Sequence, residues 1–128
     1  MKILVVDNDK NTAETIRLAL TTRGGYEVDV AYGGKEALEK MKATEPYGLL
    51  VLDIMMPELS GIDVCRLMAQ DEKLKRIPVL MVSALPVSSK SFRESLGKFD
   101  ELQVVKDILE KPFSLEDLLG KVKAVIGS

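Results

Sequence analysis

The sequence contains no histidine and no tryptophan, and Cys65 is its only cysteine. Without histidine, Ser-His-Asp and Cys-His catalysis and histidine-ligated metals are excluded. A single cysteine cannot form a disulfide within the chain, and we expect Cys65 to be a small buried residue on an apolar helix face. The reactive groups that remain are carboxylates, hydroxyls and lysines.

Strong charge and long apolar runs are also missing. The formal net charge is −2, so there is no basic stripe and direct nucleic-acid binding is not expected. The first apolar run, residues 3–6, is interrupted by Asp7 and is too short for a signal peptide or a membrane span. We therefore expect a cytoplasmic protein. Its 128 residues suit a single domain over 1–126, with 127–128 as a tail or the start of a truncated linker.

Short apolar runs alternate with amphipathic stretches along the chain. The runs at 2–6, 48–52 and 78–82 are mostly apolar and predict strands buried on both faces. The alternating stretch 26–31 predicts an edge strand, and 107–110 a last strand. This β-α pattern, repeated five times, predicts a three-layer α/β fold with a doubly wound (βα)5 parallel sheet.

The amphipathic stretches predict five helices. Asn11 or Thr12 is expected to cap the first helix, Ser88 or Ser89 a fourth helix within residues 85–106, and Ser114 the last. Helical spacing predicts buried faces with these members: Ala13, Ile16, Leu18, Ala19 and Leu20 in the first helix, and Ile62, Val64, Cys65, Leu67 and Met68 in the third.

Polar side chains stand at the ends of four predicted strands. They are Asp7, Asn8 and Asp9 after the first, Asp53 after the third, Ser83 after the fourth and Lys111 after the fifth. Each alone is explained as well by a turn, a cap or a solvated strand end. Together they meet at one edge of a parallel sheet, where ligands bind in open α/β folds. Converging carboxylates require a cation, oxygen ligands favour Mg²⁺, and an ammonium and a hydroxyl could then hold a phosphoryl group.

Four motifs carry a resemblance to a known family. They are V-V-D at 5–7, L-D-I-M-M-P-E-L-S-G at 52–61, S-A at 83–84 and K-P-F at 111–113. With them the chain resembles the receiver domain of two-component response regulators over essentially its whole length. The resemblance implies a flavodoxin-like sheet with strand order 2-1-3-4-5 and a cis peptide bond between Lys111 and Pro112.

The resemblance also implies a function and a set of site residues. Asp53 would be the phosphoacceptor, taking a phosphoryl group from a sensor histidine kinase or a phosphotransfer protein. The Mg²⁺ ligands would be Asp7, Asn8, Asp53 and the backbone carbonyl of Met55, with Asp9 as a further candidate. Such a domain is a regulatory phosphoprotein whose only chemistry is transfer to itself and autodephosphorylation, not an enzyme with an external substrate.

Further roles follow from the same resemblance. Lys111 would balance charge on the phosphoryl oxygens, and Ser83 would move toward the acyl phosphate as part of the switch. The output would be a changed surface for a downstream protein partner, formed by the fourth helix, the fifth strand and the fifth helix.

The chain departs from the family pattern in three places. Asn8 stands where an acid is usual, which predicts weaker Mg²⁺ binding than in a two-acid site unless Asp9 turns inward to compensate. Ile108 stands at the switch position where Tyr or Phe is usual. Because a β-branched residue has few rotamers, the relay from Ser83 is expected to be weak or to run through neighbouring residues. The spacing from Ser83 to Lys111 is long and lacks the usual Gly-Ala-Asp turn, so the intervening helix is expected to be longer or followed by an extra turn.

Other classes of function fit the sequence less well. A receiver-like module that binds partners constitutively, without phosphorylation, stays open because of Asn8 and Ile108. A haloacid-dehalogenase-like phosphatase would use Asp7 as nucleophile and Asp9 as acid/base, but Asn11 stands where that family has Thr or Val. A flavodoxin lacks support, because no Ser/Thr-rich phosphate loop follows the first strand.

Overall fold

The computed structural model describes residues 1–43, 46–84 and 103–127. The strands are β1 (Lys2–Val6), β2 (Glu27–Ala31), β3 (Leu49–Asp53), β4 (Val79–Ser83) and β5 (Val105–Glu110). The helices are α1 (Lys10–Thr22), α2 (Gly34–Ala43), α3 (Gly61–Ala69) and α4 (Leu115–Ile126), and a short 3-10 helix (Leu74–Arg76) precedes β4. The helix predicted within 85–106 falls mainly on residues 85–102, which lie outside the described residues.

The five strands form one parallel sheet in the order β2-β1-β3-β4-β5, which confirms the predicted order. Alternate residues of β1 and β3 enter two separate apolar clusters, one on each face of the sheet. One cluster includes residues of α2 and α3, and the other includes residues of α1 and α4. The predicted three-layer, doubly wound architecture is therefore confirmed.

Two residues predicted to be buried are exposed. Leu18 is 55% exposed and Leu67 is 43% exposed. The prediction for Leu18 was wrong because consecutive helical residues are about 100° apart, so a residue two positions from both Ile16 and Leu20 points away from them. Cys65 is buried as predicted, and burial raises the pKa of its thiol to about 12.

The predicted cap of α1 was also wrong. The helix begins at Lys10, so its N-cap is Asp9 and not Asn11 or Thr12. The Asn11 backbone amide donates to Asp9 Oδ1 at 3.0 Å, and the Thr12 hydroxyl donates to Asp9 Oδ2 at 3.0 Å. Ser114 caps α4 as predicted, accepting a hydrogen bond from the Asp117 amide.

Side-chain contacts connect β2, the predicted edge strand, to its neighbours. Lys40 of α2 donates from Nζ to the Val30 carbonyl at 2.7 Å. Beside it, the Tyr47 hydroxyl donates to Asp29 Oδ2 at 2.7 Å, and Lys2 Nζ lies 3.6 Å from the same oxygen. These contacts tie the edge strand to α2, β1 and the segment that precedes β3. In the part of the chain that the structure describes, no helix has the length and apolar character needed to span a membrane.

Candidate functional site

The carboxyl ends of β1, β3 and β5 bring three charged side chains together. Asp7 directly follows β1 and is 2% exposed, and Asp53 is the last residue of β3 and is 5% exposed. Lys111, which follows β5, places its Nζ 3.1 Å from Asp7 Oδ2 and 3.7 Å from Asp53 Oδ1. One ammonium therefore lies between two buried carboxylates, and the cluster keeps a formal charge of −1.

Parallel registration explains why these three residues meet. Val6 of β1 is opposite Leu52 of β3, so the residues that follow them, Asp7 and Asp53, emerge at the same level. On its other side Asp7 is held by β2, because the Asp7 amide donates to the Ala31 carbonyl at 3.1 Å. The prediction that strand-end residues share one edge of the sheet rests on this geometry.

Ser83 and Lys111 are joined through the backbone. Ser83 is the last residue of β4 and is fully buried, and its carbonyl accepts a hydrogen bond from the Lys111 amide at 2.7 Å. The peptide bond between Lys111 and Pro112 is cis, as the family resemblance implied. The ends of β4 and β5 therefore lie beside each other, next to the charged cluster.

The Asp53 carboxylate lies in an environment that disfavours its charge. Burial and the neighbouring charge of Asp7 raise its pKa, while Lys111 and the Met55 amide act in the opposite direction. The Met55 amide is 3.4 Å from Asp53 Oδ1. A further cation at this position would relieve the repulsion between the two carboxylates.

The oxygen donors around this cluster fit a hard divalent cation. Among the described residues, no group of three or more His, Cys, Asp or Glu side chains is placed to hold a metal. The ligand set predicted from the family resemblance adds the Asn8 amide oxygen and the Met55 carbonyl to Asp7 and Asp53. Both Asn8 and Met55 are exposed. Oxygen-only donors with an excess of negative charge are the ligands that Mg²⁺ prefers.

Asp9 and Ile108, two other candidates from the sequence, already have structural roles. The Asp9 carboxylate caps α1, and its hydrogen bonds from the Thr12 hydroxyl and the Asn11 amide lower its pKa. Ile108 is 5% exposed and belongs to the apolar cluster that includes residues of α2 and α3. Their proposed roles as metal ligand and switch residue stay predictions.

Gly61, which ends the longest motif, is a residue whose role the sequence did not predict. A β-carbon built at this glycine would lie 2.5 Å from the Asp53 carbonyl oxygen. The available signal was a glycine at the first position of a helix, directly after its serine cap, where nothing in the helix itself requires one.

The fold and this site define a class: a doubly wound α/β protein with a pair of buried carboxylates and a lysine at the carboxyl edge of its sheet. The model of the family described as response regulator receiver domain matches residues 3–123. The chain belongs to this family of two-component signalling domains, which are regulatory rather than enzymes in the usual sense and generally bind Mg²⁺ in the acidic pocket. Because the chain belongs to this family, the phosphatase and flavodoxin hypotheses have no support.

Similar proteins agree with this assignment. The chain is 37% identical over 126 residues to "Response regulator MprA" of Mycobacterium avium (strain 104), covering 98% of this chain and 51% of that protein. It is similar to the structure of the Francisella response regulator 1452 receiver domain, with 33% identity, a TM-score of 0.78 and coverage of 98% and 96%. For Vibrio cholerae chemotaxis protein CheY4 the identity is 26%, the TM-score 0.84 and the coverage 97% of each chain. The chain spans about half the length of the curated relatives it matches.

Asn8 leads to a testable expectation about cation affinity. Replacing Asn8 by aspartate adds a third carboxylate to the cluster, so the Asn8→Asp variant should bind Mg²⁺ about tenfold more tightly, or roughly 1.4 kcal/mol. Isothermal titration at pH 7 measures the dissociation constant. Asn11→Asp is the matched control, because Asn11 is an exposed residue on the same loop-helix junction. An unchanged constant in Asn8→Asp would contradict the assignment of residue 8 as a ligand.

Proposed function

We propose that this protein is a phosphoacceptor signalling switch in which Asp53 receives a phosphoryl group. The observation that carries the proposal is the position of Lys111 Nζ between the Asp7 and Asp53 carboxylates, with distances of 3.1 and 3.7 Å. Phosphoryl transfer is faster when a cationic group lies near the nucleophile, because negative charge develops on the oxygens of the transferring phosphoryl group and the cation stabilises it. Lys111 supplies this charge at the sheet edge, and Asp53 supplies the nucleophile.

The reaction is an in-line transfer from a phosphohistidine. A carboxylate oxygen of Asp53 forms a new bond to phosphorus, and the bond between phosphorus and the histidine nitrogen breaks. The nitrogen keeps the electron pair and takes up a proton. The acyl phosphate formed on Asp53 is later hydrolysed by water, which returns the free carboxylate and inorganic phosphate and resets the switch.

Divalent cation binding is part of the proposal. Asp7, Asn8, Asp53 and the Met55 carbonyl would hold Mg²⁺, with Asp9 left at the cap of α1. When bound, Mg²⁺ neutralises charge on the phosphoryl oxygens. Two further roles belong to residues of the chain itself. Asp7 holds Lys111 in place through their ion pair, and the buried Ser83 lies at the end of the adjoining strand, β4.

The surface beside the site suits a protein donor. A groove of about 550 Å³ between α1 and the segment after β5 is lined by Lys111 and by side chains that include Ile16 and Phe113. Family membership implies a histidine kinase or phosphotransfer partner. We propose that a downstream partner is bound through the face that contains β5, α4 and the helix predicted within residues 85–106.

The test is labelling with a small acyl phosphate, with and without Mg²⁺, followed by intact-mass measurement. One phosphoryl group, a gain of about 80 Da, is expected on the wild-type protein only with Mg²⁺, and none on Asp53→Asn. Asp117→Asn is the matched control, because Asp117 is exposed in the first turn of α4 and should be labelled like the wild type.

Each outcome separates the alternatives. A labile adduct that requires Asp53 supports the switch. Wild-type protein that gains no mass would instead support the module that binds partners constitutively. An adduct on Asp7, or phosphate release that continues at the wild-type rate in Asp53→Asn, would overturn the assignment of Asp53.

A further inference from the structure

Gly61 packs against the backbone of the proposed phosphoacceptor. A β-carbon at this position would lie 2.5 Å from the Asp53 carbonyl oxygen, 2.9 Å from Ile54 Cα and 3.1 Å from the Asp53 carbonyl carbon. All three are backbone atoms at the end of a strand buried on both faces, so they cannot move aside as a flexible side chain would. No residue with a side chain fits at position 61 without displacing the end of β3.

The contact closes the loop formed by residues 54–60. The Gly61 amide donates to the Ile54 carbonyl at 2.8 Å, so the loop leaves the strand and returns to it within seven residues. Inside the loop, the Leu59 amide donates to the Pro57 carbonyl at 2.8 Å, and Glu58 between them has a φ of +70°. This is a tight three-residue turn of a strained type.

Both ends of the loop are held in place. At the start, the Ile54 amide donates to the Val82 carbonyl at 3.0 Å. At the finish, Ser60 and Asp63 form reciprocal hydrogen bonds of 3.1 Å that cap α3. The strained turn at Glu58 is therefore kept by fixed anchors on either side, and Met55 lies between the Ile54 anchor and the turn.

We propose that Gly61 is a positioning residue for phosphoryl uptake. By allowing α3 to begin against the Asp53 carbonyl, it closes the loop and holds the Met55 backbone beside the Asp53 carboxylate, where the Met55 amide is 3.4 Å from Oδ1. Displacement of a reacting group by about 1 Å can slow a reaction on the order of a hundredfold. A shift of the end of β3 should therefore slow phosphoryl transfer to Asp53. The inference rests on the proposed function of Asp53.

The experiment compares Gly61→Ala with two controls in the full 128-residue chain. Gly61→Ala should be labelled by acyl phosphate at saturating Mg²⁺ at least tenfold more slowly than the wild type, and its Met55 amide NMR resonance should shift. Gly120→Ala is the matched glycine substitution, because a β-carbon at Gly120 meets nothing within 4 Å. It should leave both measurements unchanged.

A second control separates positioning from loss of stability. Val122→Ala removes buried atoms from α4 in the cluster on the opposite face of the sheet, so it should lower the melting temperature without changing the labelling rate or the Met55 resonance. A normal rate in Gly61→Ala, or an equally slow rate in Val122→Ala, would overturn the proposal. If Gly61→Ala does not fold, Ser60→Ala loosens the same anchor without a clash, and an unchanged rate there would also overturn it.

Failure of this inference can be told apart from failure of the proposed function. If the wild type is not labelled at all, the assignment of Asp53 as phosphoacceptor fails, whereas the Met55 resonance still reports whether Gly61 sets the loop. If the wild type is labelled and the Met55 resonance of Gly61→Ala is unmoved, only the positioning role is lost.

Discussion

Replacing Lys111 by methionine is expected to lower the free energy of unfolding by about 3 kcal/mol at pH 7. The ammonium is the shared partner of two carboxylates that are nearly inaccessible to solvent, with side-chain exposures of 2% for Asp7 and 6% for Asp53. Without it, both charges stay buried and repel each other. Urea unfolding of Lys111→Met in the absence of divalent cations measures the loss.

A second lysine in the chain provides a matched control. Lys121 Nζ lies 3.1 Å from Asp107 Oδ1, the same distance as in the Lys111–Asp7 pair, but its side chain is 33% exposed and that of Asp107 is 28% exposed. Because solvent screens this pair, Lys121→Met should cost less than about 1 kcal/mol. Equal losses of unfolding free energy in the two variants would show that burial does not strengthen the Lys111–Asp7 ion pair.

Asp53→Asn is expected to make the cation-free protein more stable at pH 7, which urea unfolding measures as a higher midpoint. The pKa of Asp53 is raised in the folded state by burial and by Asp7, so the folded protein binds this proton more tightly than the unfolded chain does. The ionised carboxylate therefore destabilises the fold at every pH above its folded pKa. Asparagine removes that charge and keeps the shape of the side chain.

The stability gained in Asp53→Asn should depend on pH. As the pH falls through the raised pKa of Asp53, the wild type gains its proton and its stability approaches that of Asp53→Asn, so the difference in melting temperature should shrink between pH 7 and pH 4. Asp71→Asn should behave in the opposite way. The amides of Leu74 and Lys73 lower the pKa of Asp71, so losing its charge should destabilise the protein at pH 7 and matter less in acid. A pH-independent gain in Asp53→Asn would contradict the role of its charge.

Most of the sheet and its polar edge could be predicted, because both depend on short-range patterns. Continuous apolar runs identify strands that are covered on both faces, and the residue at which each run stops marks the carboxyl edge. Parallel strands in register then bring Asp7, Asp53 and Lys111 together even though Lys111 is distant in the chain. The order of the strands came from the family motifs and not from periodicity.

Other features depended on tertiary contacts or on small angular differences. Leu18 looked like a core residue from composition, yet it is rotated away from the stripe that packs on the sheet. The cap of α1 was placed two or three residues too late, because Asp9, Asn11 and Thr12 are all good capping residues and only the path of the backbone after β1 selects among them. The glycine after the Ser60 cap is a local signal in the sequence, but its close approach to Asp53 could not be predicted because it depends on where α3 packs.

The lysine on the outer edge of β2 has a consequence for how the protein behaves at high concentration. Val30 presents its carbonyl outward, where a strand from a second molecule could extend the sheet, and Lys40 occupies that acceptor from α2. An incoming strand would have to displace a charged group from its hydrogen bond and bury it. This contact therefore opposes edge-to-edge aggregation at the β2 side of the sheet, as charged side chains do on natural edge strands.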